Sequence, residues 1–358
     1  MERLPTIILY ISPIIAVLSI IFLLHTEILL EMSLSFATTT NQSAPSSTQS
    51  LLNSPNTTVA ANTSAMENAT DIFGITKIYP TKEGAREWFL NMSHPTNSSN
   101  FSITDNVNLS KVSDSSWRIN TTHVRMIVNT SDNQENWNNT EITGYVRLSF
   151  PNSSQVSLNR TTTDSEISNQ SSISDDESEG VEIDDLVFIS RSGRHSSDVP
   201  CDGTGYIGGL HTDGSVGWKK EIWHTGGYTD ERARNTIADS FLNTWIGWKI
   251  VVYTIEIDNE TRGVKLESYI DESNTNNWTK VTEFIDGGGW YANTNDDEFF
   301  AAGCDKARDH ILTDARPNII FRTDNLVLDF KNLSVREIQP PPFDANANWT
   351  RILKLDSF

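Results

Sequence analysis

The sequence predicts an all-β sandwich behind an N-terminal membrane anchor, and three observations predict it. From residue 71 onward, short runs rich in β-branched and aromatic residues recur, separated by Gly, Asn, Asp and Ser turns, with few helical periods. Two of these runs alternate apolar and polar with period two, as strands with one buried face do. Ahead of them, residues 7–24 ("IILYISPIIAVLSIIFLL") carry no charge and are long enough to cross a bilayer core as a helix.

Taken in order, residues 1–6 form a short cytoplasmic segment and 7–24 a signal anchor. A cleaved signal peptide has a shorter apolar stretch, although Ser35-Phe36-Ala37 offers a small-residue cleavage site. Arg3 precedes the span, and Glu27 and Glu31 follow it, so the positive-inside bias keeps the N-terminus in the cytoplasm and places the remainder outside. This makes a single-pass cell-membrane protein with an extracellular C-terminal domain. Residues 25–70 are poor in aromatics and rich in Ser, Thr and Asn, and read as a disordered, glycosylated stalk.

The domain proper spans 71–338. Its strand candidates include "HVRMIV", "YVRLSF", "LVFIS", "WIGWKIVVYTIEI", "VKLESYI", "NIIFR" and "LVLDFKNLSVREI". "DERARNTIADSFL" (230–242) is the helix candidate, and "DKARDHIL" (305–312) a second, single-turn one. Residues 151–182 are polar, end in an acidic cluster and read as a low-complexity surface loop. Asp175, Asp176, Glu177 and Glu179 in that loop lack EF-hand spacing. After Ile338, "QPPP" ends the last strand and opens a C-terminal tail, 339–358.

Composition narrows the chemistry. A net charge of −20 argues against nucleic-acid binding through phosphate neutralisation. Glycosylation acceptors begin at Asn41, Asn56, Asn62, Asn68, Asn91, Asn97, Asn100, Asn108, Asn120, Asn129, Asn138, Asn152, Asn159, Asn169, Asn259, Asn277, Asn332 and Asn348. That is about two and a half times the roughly seven that random order would supply, so a glycoprotein is expected. Cys201 and Cys304 are the only cysteines. Outside the cell they are expected to pair, closing a loop worth about 4–5 kcal/mol in the chain-entropy model, with two buried thiols as the alternative. No Cys/His cluster marks a zinc site, so no metal or cofactor is expected; a structural calcium is left open.

The alternating strands nominate a surface. In "TEITGYVRLSF" (140–150), Ile142, Val146, Leu148 and Phe150 share one parity, with Gly144 as a gap, while Glu141, Tyr145 and Arg147 share the other. In "GVKLESYID", Val264, Leu266 and Ile270 point one way and Lys265, Glu267, Tyr269 and Asp271 the other. In "FISRSGRHSS", Arg191 and His195 share a parity, and in "GWKKEIWH" the pattern is less regular around Lys220 and Trp223. Trp218, Trp223, Trp245, Trp248 and Trp290 are read mainly as core aromatics, one or two of them left for stacking on sugar rings. "DGGGW" (286–290) reads as a turn.

"NTWIGWKIVVYTIEIDNETRGVKLESYIDESNTNNW" and the closing "FRTDNLVLDFKNLSVREI", together with "FGITKIYPTKEGAREWF", "NTEITGYVRL" and "SRSGRHSS", resemble the concanavalin A-like lectin/glucanase jelly rolls. More narrowly, they resemble secreted members related to family 7-type polysaccharide lyases and to carbohydrate-binding modules. The resemblance implies two antiparallel sheets packed face to face, with glycan bound across the concave outer face of one. It places Glu141, Arg191, Glu267, Asp271, Lys220 and Trp223 as ligand-binding residues. If the protein is a uronate lyase, Arg147, His195, Tyr145 and Tyr269 supply carboxylate neutralisation, base and acid. The related lyases carry Arg-X-Glu and Gln-X-His on groove strands; here Asn139-Thr140-Glu141 stands in the first place and no Gln-X-His occurs. The expected partner is a polysaccharide or cell-surface glycan; a protein-contacting adhesion module is the non-glycan alternative.

Overall fold

The computed structural model describes residues 70–342, apart from 105–106, 108, 122, 132–133, 152–184 and 258–260. The anchor at 7–24, the stalk up to residue 69, nearly all of the acidic loop and the tail beyond 342 lie outside the described residues. Among the described residues no helix is long and apolar enough to cross a membrane.

In chain order the strands are β1 (Glu87–Phe89), β2 (Phe101–Ile103), β3 (Leu109–Ser113), β4 (Ser116–Asn120), β5 (His123–Asn129), β6 (Thr140–Ser149), β7 (Asp185–Ser192) and β8 (Gly205–His211). They continue as β9 (Ser215–Glu221), β10 (Arg232–Thr236), β11 (Ile246–Glu256), β12 (Arg262–Asp271), β13 (Thr279–Asp286), β14 (Asn318–Asp324) and β15 (Val327–Glu337). An eight-stranded sheet runs β13-β12-β11-β6-β15-β4-β3, with β1 also on β15, and a seven-stranded sheet runs β10-β9-β8-β7-β14-β5-β2. Every named pairing is antiparallel. The chain changes sheet between β1 and β2, β2 and β3, β4 and β5, β5 and β6, β6 and β7, β10 and β11, β13 and β14, and β14 and β15, which gives the jelly-roll sandwich.

The core lies between the sheets. Ile142, Val146, Leu148, Trp248, Ile250, Val264, Leu266, Ile270, Leu328 and Phe330 come from one side, and Val124, Met126, Phe188, Leu210, Trp218 and Phe321 from the other. Gly144 is a gap for a reason: a Cβ there would sit 2.6 Å from Leu333 Cδ2 and 3.3 Å from Phe188 Cζ. Phe188 stacks on Trp248 at 4.2 Å between centroids, so the missing side chain admits the largest aromatic pair of the core. Phe150 shares the core parity but lies beyond the end of β6 and is 50% exposed.

Both helix expectations are corrected. Residues 232–236 form edge strand β10, with a register shift in which Ala233 takes a positive φ of 50°. Edge pairing and the packing of Ile237 and Ala238 against the core override the high helical propensity of Ala and Arg. Residues 305–312 contain only a turn. The helix present, α1 (Asp296–Ala301), is announced by Asn295, whose side chain caps the Glu298 N–H at 2.9 Å, and by three acids in its first turn. Cys201 and Cys304 form a disulfide that ties the loop after β7 to the segment after α1.

Candidate functional site

Glu141 and Glu267 stand on the same outer face of the eight-stranded sheet. Both pair across β11 with Val251, so one strand separates them and their backbones lie about 10 Å apart. That face has two halves of different character.

The half over β11 and β12 is sealed. Residues 74–81 and the turn before β13 lie across it. Ile78 N–H donates to Glu141 Oε2 at 3.0 Å, Tyr79 O–H donates to Glu267 Oε2 at 2.9 Å, and Thr76 N–H donates to Asn276 Oδ1 at 2.8 Å. Beneath this cover Glu141 bonds Lys249 at 2.7 Å and also Arg336. Burial alone would raise the Glu141 carboxyl; the two cations outweigh it and hold it below the usual range. Glu267 accepts also from Tyr269 at 3.1 Å and from Lys280 at 3.2 Å. Asp271 is fully buried and accepts from Tyr145 O–H at 2.8 Å and from the Thr275 and Asn276 N–H groups. Burial first, and Asp271 second, push the Tyr145 phenol well up, and burial beside Glu267 does the same to Tyr269. Glu141, Glu267, Asp271 and Tyr269 therefore lie under a cover formed by the chain itself, because alternation decides a side chain's face but not what lies over it.

The half over β6, β15 and β4 is open. Arg118 grips Asp329 through two bonds, Nε to Oδ1 at 2.6 Å and Nη2 to Oδ2 at 2.9 Å, and Arg147 Nε reaches the same Oδ2 at 2.9 Å. The Arg118 and Arg147 side chains remain 41% and 30% exposed, whereas Asp329 is 2% exposed. Burial would raise Asp329; its two arginines prevail and lower it. Next to them Lys331 Nζ lies 4.8 Å from the Trp245 ring centre and 5.2 Å from that of Tyr145, and Arg147 lies 5.2 Å from Trp245. Lys331 has no carboxylate partner among the described residues, and burial alone pushes its ammonium down from the ordinary lysine value. Three cations face one carboxylate beside a half-buried indole.

The other nominated residues are elsewhere. Arg191 and His195 do not share a face: Arg191 takes a positive φ of 55° at a register shift in β7 and is buried between the sheets, donating to Leu312 O at 2.6 Å and Thr254 Oγ1 at 2.8 Å. His195 lies against Glu221 of the seven-stranded sheet. Lys220 is buried between the sheets, bonded to Asp286 at 2.9 Å. Trp223 is 7% exposed and packs with Phe299 in a small cluster. The constellation Arg147, His195, Tyr145 and Tyr269 is thus not assembled, and neither Arg191, Lys220 nor Trp223 reaches the open face. Lys331, Arg118 and Asp329 were not singled out, although "LDFK" alternates plainly.

No protein-family model and no curated protein matches the chain. Among solved structures it is similar to a Bacillus subtilis protein of unknown function with a galectin-like fold, at 8% identity over 74% of this chain and 100% of that one, with a TM-score of 0.38. It is similar also to alginate lyase Aly36B, at 12% identity over 74% and 99% of the two chains with a TM-score of 0.33. A third likeness is to the carbohydrate recognition domain of Emp47p, at 5% identity over 76% and 100% with a TM-score of 0.32.

Proposed function

We propose that this is a membrane-anchored, glycosylated extracellular protein whose jelly roll binds an acidic polysaccharide on the open half of its eight-stranded sheet. The carrying observation is Lys331, a cation held between two aromatic rings without a carboxylate, beside two arginines that share one. A uronate ring suits that surface: its carboxylate replaces the missing anion for Lys331, its hydroxyls meet Arg118 and Arg147, and its apolar face lies along Trp245. The anchor at 7–24 and the glycans are supported by hydropathy and by acceptor frequency. Asn91, Asn97, Asn100, Asn120, Asn138 and Asn277 are exposed, as glycan carriers must be. Against the lyase alternative stands the placement of His123, His195, His211 and His224, which belong to or contact the seven-stranded sheet.

The test is affinity electrophoresis of the full-length protein in detergent through gels containing alginate, polyglucuronate, pectin or neutral dextran. At least one acidic polymer retards the wild type and dextran does not. Lys331→Ala and Trp245→Ala each weaken that retardation at least tenfold, in line with the loss of a charge-assisted contact and a stacking platform. No retardation by any acidic polymer, or equal retardation of both variants, removes the reading. Absorbance of an unsaturated uronyl product in the same mixtures would reinstate the lyase.

A further inference from the structure

On the outer face of the seven-stranded sheet, at the end of β9, two histidines converge on one carboxylate. His195 Nδ1 lies 3.0 Å from Glu221 Oε2, and His224 Nδ1 lies 3.0 Å from Glu221 Oε1. The imidazole centres are 5.3 Å apart with planes at 82°, so the two rings approach from different directions. The His195 side chain is 5% exposed, that of Glu221 1% and that of His224 16%, which leaves one way in, past His224. One donor atom from each residue lies within 4.8 Å of the other two.

The contact between His195 and Glu221 is not an ordinary hydrogen bond. His195 Nδ1 and Glu221 Oε2 are both buried and lie 3.0 Å apart without the geometry of a well-formed hydrogen bond between them. For bonds of about 2.0–2.1 Å at a tetrahedral centre, neighbouring ligand atoms stand roughly 3.3 Å apart, close to the spacing found. The second nitrogen of His195, Nε2, meets Ser192 Oγ at 2.9 Å, and Ser192 Oγ in turn donates to Gly193 O at 3.3 Å. Such an outer contact orients a ligating imidazole and leaves its other nitrogen for a metal.

The surroundings hold the three in place. His224 N–H donates to Pro200 O at 2.9 Å, and Lys306 Nζ links Cys201 O and Ile222 O at 2.8 and 2.7 Å. The disulfide joins the loop that follows His195 to the segment that carries Lys306, which in turn bonds the end of the strand carrying Glu221. We propose that His195, Glu221 and His224 form a site for one divalent transition-metal ion, zinc by ligand type. Two imidazoles and a carboxylate leave a fourth position toward solvent. The three residues are far apart in kind from the acidic clusters that favour calcium, and their nitrogen donors select against it.

The experiment uses untagged full-length protein in detergent, stripped with EDTA, dialysed and titrated with ZnCl₂ by calorimetry and with CoCl₂ by visible spectroscopy. One zinc binds per chain, cobalt develops the intense visible bands of a four- or five-coordinate ion, and zinc raises the melting temperature by mass action. His224→Ala and Glu221→Gln each weaken zinc at least tenfold and abolish the cobalt bands, while the exposed His94→Ala changes neither. Absence of saturable zinc binding overturns the proposal. So does zinc affinity that persists unchanged in His224→Ala, the partly exposed position least able to disturb folding, when its circular dichroism matches that of the wild type.

Discussion

At the scale of single residues, burial rather than polarity decides what a charged side chain does here. Lys220 and Asp286 sit fully enclosed between the sheets, with Tyr206 O–H donating to the same Asp286 oxygen at 2.7 Å and the remaining Lys220 donors going to the Asp309 and His310 carbonyls. A pair of this kind contributes little net stability, because desolvation consumes most of the attraction, yet losing one member strands the other. Lys220→Met is expected to cost about 3–5 kcal/mol in urea unfolding, and Lys220→Met/Asp286→Leu to recover part of it. A cost below about 1 kcal/mol for the single variant would mean that Asp286 finds another partner. Lys331 differs only in setting: the same side chain on the open face lies between two aromatic rings and without an anion.

At the scale of elements, β15 shows how a strand keeps two faces correct while changing step. In "VLDFKNLSVREI", Leu328 and Phe330 are two apart, Leu333 follows after three, and Val335 after two. All four are buried in the core. The odd step is a bulge: register shifts between Lys331 and Ser334, and Asn332 takes a φ of 55°. Asn tolerates that left-handed conformation, and a β-branched residue does not. Asn332→Val is expected to destabilise by about 1–2 kcal/mol and Asn332→Gly by far less. Both remove the glycosylation acceptor at this position, so the difference between their thermal melts isolates the backbone. Equal melts would assign no role to the bulge conformation. The interrupted alternation was readable in advance; the bulge in β7 that turns Arg191 inward was not, since the polar run "SRSGR" holds no apolar pattern to break.

At the scale of the whole molecule, acidic residues set the response to pH. Glu141, Glu221, Glu231 and Asp329 are all held below their ordinary values in the folded state by cationic or imidazole partners, despite burial that opposes this. A carboxyl depressed on folding contributes stability that is complete above its unfolded pKa, about 4–4.5, and is lost as pH falls through the lower folded value. With a net charge of −20 at neutral pH, early protonation also relieves self-repulsion. The melting temperature is therefore expected to hold or rise slightly from pH 7 to about 5 and to fall steeply below about 4. A melting temperature still level at pH 3 would show that these ion pairs contribute nothing to folding. The disulfide between residues 103 apart in sequence adds a constraint independent of pH in this range.

By itself the sequence determined the all-β architecture and the inward and outward parities of β6 and β12, because a period of two leaves few alternatives; it left the two cysteines either paired or free, and the structure pairs them. Only the tertiary structure decided which outward residues meet solvent. Ile78 covers Glu141 from 63 positions away and Tyr79 covers Glu267 from 188, while His195 is brought to Glu221 and His224 across separate loops. Such contacts depend on how sheets and connections stack in space, and local alternation carries no information about them.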